Sequence, residues 1–170
     1  LEDKKNGDIM VKQGFLPCLL KVEVSSDLLI PEQDLWVTSW WQNIGDNPAE
    51  ESFFGFMDLE FGEQRTVEAR DVRYNRIRWK PYPETQYWRP GDIWATTCRW
   101  HVPSDLSSNY WAGTYKLYLG FCDSESVPIP ICGTGSRVMK RVKIGEVDTS
   151  WGWGTPTVEK TRKVWSIEVN

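Results

Sequence analysis

The segment Tyr74-Asn75-Arg76-Ile77-Arg78-Trp79-Lys80-Pro81-Tyr82-Pro83-Glu84-Thr85-Gln86-Tyr87-Trp88-Arg89 interleaves five aromatic rings with hydrogen-bonding side chains. Such a mixture suits a ligand that is flat and part polar, because an indole or phenol offers an apolar face and one polar handle. A pyranose ring is such a ligand: its axial C–H groups meet the aromatic face while its hydroxyls reach polar neighbours. Trp79, Tyr82, Tyr87 and Trp88 are the expected stacking surfaces, with Arg78, Glu84 and Gln86 as hydroxyl partners. Pro81 and Pro83 stiffen the segment, so little conformational entropy is lost on binding. The structural alternative is a long loop whose rings simply close the end of a sheet.

Two further aromatic groups could extend the same surface. Trp111 follows Tyr110 at the end of an otherwise polar stretch, residues 104–109, and could form a wall of the site or an apolar lid. Trp151 and Trp153 alternate with Gly152 and Gly154. On an extended chain their indoles share one side about 7 Å apart, a spacing that suits two contacts along one glycan chain. The glycines would permit close approach. The alternative is a bulge that packs both indoles on the core.

Other chemistries fit less well. Asp58 and Glu60 share one face of Phe56-Met57-Asp58-Leu59-Glu60-Phe61, where they could accept sugar hydroxyls, ligate calcium or form a solvated surface. The segment resembles the E-x-D-x-E strand of laminarinase-like jelly-roll glycosidases, whose alternate carboxylates act as nucleophile, assisting acid and general acid/base. Phe56 stands at the nucleophile position, so that constellation is broken. His101 is the only histidine, which leaves Ser-His-Asp, Cys-His and zinc chemistry poorly supplied. Cys18, Cys98, Cys122 and Cys132 show no C-x-x-C spacing. A Cys122–Cys132 bridge would close a short loop, worth nearly ~3 kcal/mol, and would leave Cys18 with Cys98. Four buried thiols is the alternative, and the sequence does not choose among the pairings. Gly133-Thr134-Gly135 lacks the rest of any phosphate-binding motif. The basic run Arg65, Arg70, Arg73, Arg76, Arg78, Lys80 and Arg89 is interrupted by Glu63, Glu68, Asp71 and Glu84, and the net charge is −4. No nucleic-acid partner is expected.

These residues need a scaffold, and the pattern is β throughout. Short runs of Val, Ile, Thr and aromatics, separated by Gly, Pro, Asn and Asp, predict strands near 19–25, 34–43, 53–62, 75–80, 93–101, 114–122, 137–149 and 157–169. No window carries a helical period. Alternation puts Tyr115, Leu117, Leu119 and Phe121 on one inward face, Met57, Leu59 and Phe61 on another, and Trp165, Ile167 and Val169 on a third. Trp41 is the expected core ring of its strand, with Trp36 and Trp40 on the opposite side. Trp94, Cys98 and Trp100 are expected to point inward. Arg89-Pro90-Gly91-Asp92 has the composition of a type II turn. The expectation is one all-β domain over 1–170, a single antiparallel sandwich, immunoglobulin-like or jelly-roll-like. Residues 1–8 read as the edge of a piece of a longer protein, and no apolar run reaches the ~18 residues of a membrane span. Eleven tryptophans in 170 residues exceed what one such core can hide, so several indoles are expected at the surface.

Trp41-Gln42-Asn43-Ile44-Gly45-Asp46-Asn47-Pro48 resembles the W-x-N-x-G-x-x-P strand end of immunoglobulin-like modules attached to bacterial glycoside hydrolases. Arg89-Pro90-Gly91-Asp92, the run from Gly113 to Phe121, and Val142-Lys143-Ile144-Gly145-Glu146-Val147 follow in the matching order, so the likeness covers roughly 35–149. It implies a β-sandwich in a secreted, polysaccharide-degrading protein. The extra Trp and Tyr residues between 79 and 111 depart from a plain spacer. The expected function is non-catalytic binding of a polysaccharide, a plant cell-wall β-glucan or hemicellulose, tethering an attached glycoside hydrolase. No cofactor is expected beyond an optional structural calcium, and no membrane partner. Two alternatives stand: a spacer between catalytic modules, and a small jelly-roll glycoside hydrolase.

Overall fold

Strict alternation of apolar and polar side chains builds this molecule. The computed structural model describes residues 14–61, 74–104, 112–133, 137–150 and 164–168. The strands are β1 (Pro17–Val24), β2 (Leu28–Leu29), β3 (Asp34–Asn43), β4 (Phe54–Phe61), β5 (Tyr74–Trp79), β6 (Ile93–His101), β7 (Thr114–Cys122), β8 (Ile131–Cys132), β9 (Val138–Met139), β10 (Val142–Thr149) and β11 (Trp165–Glu168). One sheet runs β6-β3-β1-β8-β9, with β11 also beside β1; the other runs β2-β10-β7-β4-β5. The two pack face to face as a β-sandwich. Most neighbours are antiparallel, as the alternation predicts. Two pairings, β1 with β8 and β10 with β2, are parallel, so both sheets are mixed.

The core lies between the sheets. Tyr115, Leu117, Leu119 and Phe121 of β7 face Val22, Val37, Trp41 and Cys98 of the other sheet. Trp41, Cys98 and Trp100 are buried, whereas Trp36 on the outer face is 43% exposed. Arg99 sits over the Trp36 ring and Lys21 over Trp40. Trp165 is half-buried, and its ring passes so close to Gly145 that a Cβ there would lie 2.5 Å from it. Phe61, Ile167 and Val169 have side chains outside the described set.

One expectation about a polar residue is corrected. Asp58 does not lie on a solvated face; it is fully buried. Arg76 donates to both its oxygens, Nε to Oδ1 at 2.8 Å and a second nitrogen to Oδ2 at 3.0 Å, and Arg141 reaches Oδ2 at 3.3 Å. Burying a carboxylate costs several kcal/mol unless charge and hydrogen bonds offset it, and these guanidinium contacts do so. Both Asp58 oxygens are thus engaged by guanidinium groups. The cysteines take the alternative of four free thiols, three of them buried and Cys18 half-buried. Cys98 faces the core, Cys122 lies on the outer side of β7 near Arg76 and Arg78, and Cys18 and Cys132 lie opposite each other on β1 and β8. Neither Cys122–Cys132 nor Cys18–Cys98 can be bridged across those layers.

Candidate functional site

Strands β5 and β6 are the edges of their respective sheets and lie on the same side of the sandwich. The Trp79 indole of β5 spans the gap and donates from Nε1 to Thr96 Oγ1 of β6 at 2.8 Å. The connection between the two strands, residues 80–92, must therefore turn back over that end of the molecule.

Its anchors are buried. Trp88 is 0% exposed and is wedged edge-on against Phe15 and Phe121, with ring centroids 6.0 and 5.6 Å away. Its Nε1 donates to Pro83 O at 2.9 Å, which folds the loop onto its own ring. Asn43, also buried, donates from Nδ2 to Trp88 O at 2.8 Å and to Asn47 O at 2.9 Å, while Oδ1 accepts from Gly45 N at 2.9 Å. The Asn and Gly of the Trp41–Pro48 segment are thus a clamp between the β3 end and this loop. Gly45 is required there, because a Cβ would come within 1.9 Å of Gly14 O. Thr85 completes the anchoring: its hydroxyl donates to Glu51 O at 3.1 Å and accepts from Phe53 N at 2.9 Å. At the far end Asp92 N donates to Arg89 O at 3.0 Å and Gly91 has φ +84°, the type II turn expected from Pro90-Gly91.

On this pinned loop the outward side chains stand free. Tyr82 is 92% exposed and Tyr87 67%. Together with Pro83, Glu84 and Trp94 they line a cleft of about 580 Å³. The Tyr82–Pro83 peptide is cis. Glu84 receives a loose ion pair from Lys80 at 3.7 Å. The Trp94 indole N–H is buried with no hydrogen-bond partner among the described residues. A buried donor left unpaired costs ~1–3 kcal/mol.

The ten residues read as a glycan platform divide accordingly. Tyr82, Glu84 and Tyr87 come together at the cleft, and Gln86 is exposed on the same short turn with its amide donating to Glu50 O at 3.3 Å. Trp88 is not a stacking surface; its ring serves the core. Trp79 is half-buried at the seam between sheets, with its N–H already used. Arg78 points to the other side, donating to Ser124 O at 3.1 Å over the Phe54 ring. Trp111, Trp151 and Trp153 lie outside the described residues. Trp94, expected to point inward, packs on the core and also lines the cleft; its place at the mouth of an edge strand beside the aromatic loop is the signal that marks it.

Comparison with protein-family models and with curated proteins finds no match to this chain.

Proposed function

We propose that the chain is a non-catalytic carbohydrate-binding domain that holds a polysaccharide against the cleft formed by Tyr82, Tyr87 and Trp94. The observation that carries this reading is the exposure of two tyrosine rings on a loop whose backbone is fixed by Trp88, Thr85 and Asn43. Large exposed aromatics on a pre-ordered loop bind with little entropy loss. Pyranose faces stack on Tyr82 and Tyr87, while Glu84 and Gln86 meet hydroxyls. The cleft volume falls within the range of small-ligand sites.

Each stacked ring contributes on the order of 1 kcal/mol, so affinity is modest and release fast. Weak binding of this kind is useful when the module is covalently attached to an enzyme, because tethering raises local substrate concentration without chemistry of its own. A secreted plant-polysaccharide hydrolase, acting on a β-glucan or hemicellulose, is the parent this predicts. The carboxylates at Asp58 and Glu60 support binding over hydrolysis, since Arg76 and Arg141 hold them in ion pairs.

The test is affinity electrophoresis and calorimetry on soluble β-glucan and xylan with Tyr82→Ala and Tyr87→Ala. Each variant should weaken retention roughly 5-fold, the equivalent of about 1 kcal/mol, with an unchanged circular dichroism spectrum. Retention of both variants equal to the parent would remove this cleft as the binding site.

A further inference from the structure

We propose that Cys18 and Cys132 are a redox-active pair that forms a disulfide across β1 and β8. The geometry selects this pair out of the possible ones. The two residues are direct partners in the parallel ladder between those strands. Neighbouring strands lie about 4.8 Å apart, inside the ~4.4–6.8 Å that a disulfide needs between Cα atoms. Their side chains also share a side. Leu19 and Ile131, the adjacent residues in each strand, belong to the core, so Cys18 and Cys132 both turn to the outer face of the same sheet. The other two thiols are in different layers, Cys98 between the sheets and Cys122 outside the opposite one.

Their accessibility is unequal, which orders the chemistry. Cys18 is half-buried and Cys132 fully buried. A small-molecule disulfide such as oxidised glutathione reaches Cys18 first. The Cys18 thiolate attacks one glutathione sulfur, breaking that S–S bond and releasing one glutathione thiolate. The Cys132 thiolate then attacks the Cys18 sulfur and expels the second. Two thiols lose two protons and two electrons, and one glutathione disulfide becomes two glutathione thiols. Burial, followed by the hydrogen bond and the charge of Cys132, pushes the reduced Cys18 thiol up to about 12, so exchange through its thiolate is slow near neutral pH and quickens as the pH is raised.

The bond would tether β8, only two residues long, to the strand at the centre of its sheet. It also closes a loop of 114 residues, from Cys18 to Cys132, the regime in which cross-linking most restricts the unfolded chain. This proposal is independent of the glycan reading.

The experiment is to treat the folded protein with oxidised glutathione, unfold it in N-ethylmaleimide, and map peptides without reductant. The expected result is one linked species joining the Cys18 and Cys132 peptides, lighter by two hydrogens, with Cys98 and Cys122 carrying maleimide. The linked protein should melt roughly 5–10 °C higher, and reductant should return it to the starting value. Cys132→Ser should abolish the link and leave glutathione on Cys18. Recovery of Cys18 and Cys132 as maleimide adducts after oxidation of the parent, a glutathione adduct on Cys18 with Cys132 present, or linkage to Cys98 or Cys122 would overturn the proposal.

Discussion

Trp88 and Tyr87 are adjacent, both aromatic, and opposite in role. Trp88 fills the end of the core and pins its own loop through Pro83 O, while Tyr87 stands in solvent. The consequence separates stability from binding. Trp88→Ala should cost about 3–5 kcal/mol, the usual loss for truncating a fully buried indole. Urea denaturation should show that loss directly, as a lower midpoint with little change in slope. Tyr82→Ala should change the unfolding free energy by no more than about 0.5 kcal/mol, since the ring touches mostly water. Were Trp88→Ala as stable as its parent, the loop would be held by something other than that ring. Residue type alone could not have told the two apart. Aromatic excess is legible in the sequence; which rings spend themselves on anchoring depends on contacts such as Asn43 to Trp88, made between residues 45 apart in the chain.

At the level of strands and sheets the outer side of β4, β5 and β7 forms a layer of its own. Arg76 lies over Phe56 with its guanidinium carbon 3.9 Å from the ring centroid, and Arg141 lies over Tyr118 at 3.8 Å. Between them sits the Asp58 carboxylate. Arg76 also donates to Ser126 O at 2.7 Å, and so draws the 123–130 loop onto the sheet. Removing one member of such a buried set is expensive, because it strands the partners. Asp58→Ala should destabilise by about 3–5 kcal/mol. Glu60, paired with the same Arg141 but over a third exposed, should behave differently: Glu60→Gln should cost under about 1 kcal/mol. Thermal melts of the two variants side by side would check the contrast, and equal costs would mean that burial does not set the energetics here. Alternation located the long strands β1, β3, β4, β6 and β7 to within a few residues, and the inward faces of β3, β4, β6 and β7, because period two over eight or more residues is a strong signal. It missed β2 and β8, which are two residues each, and split no turn between β9 and β10. The parallel pairings and the burial of Asp58 were equally invisible. Each depends on a partner distant in the chain; Arg141 lies 83 residues beyond Asp58.

For the whole molecule, the question is whether the cleft does anything that a rigid spacer would not. Sandwich edges β5 and β6 are joined by the Trp79–Thr96 bond, and the loop above them is tied to β3 by Asn43. A ligand bound there contacts a part of the fold that must come apart when the protein unfolds. Anything that binds only the native state raises its stability by RT ln(1 + [L]/Kd), about 2.7 kcal/mol at a hundredfold excess over Kd. In a domain of this size that corresponds to a rise of roughly 5–10 °C in Tm. Differential scanning calorimetry with soluble β-glucan or xylan should show this rise for the parent, together with a shift of tryptophan emission because Trp94 lines the cleft. The double variant Tyr82→Ala, Tyr87→Ala should start from nearly the same Tm and gain much less. A spacer predicts no rise with any glycan. A rise that survives the double variant would place the binding surface elsewhere, and the outer sheet face bearing Trp36 and Trp40 would be the next to test, since its rings flank the hydroxyl pair Thr38–Thr97.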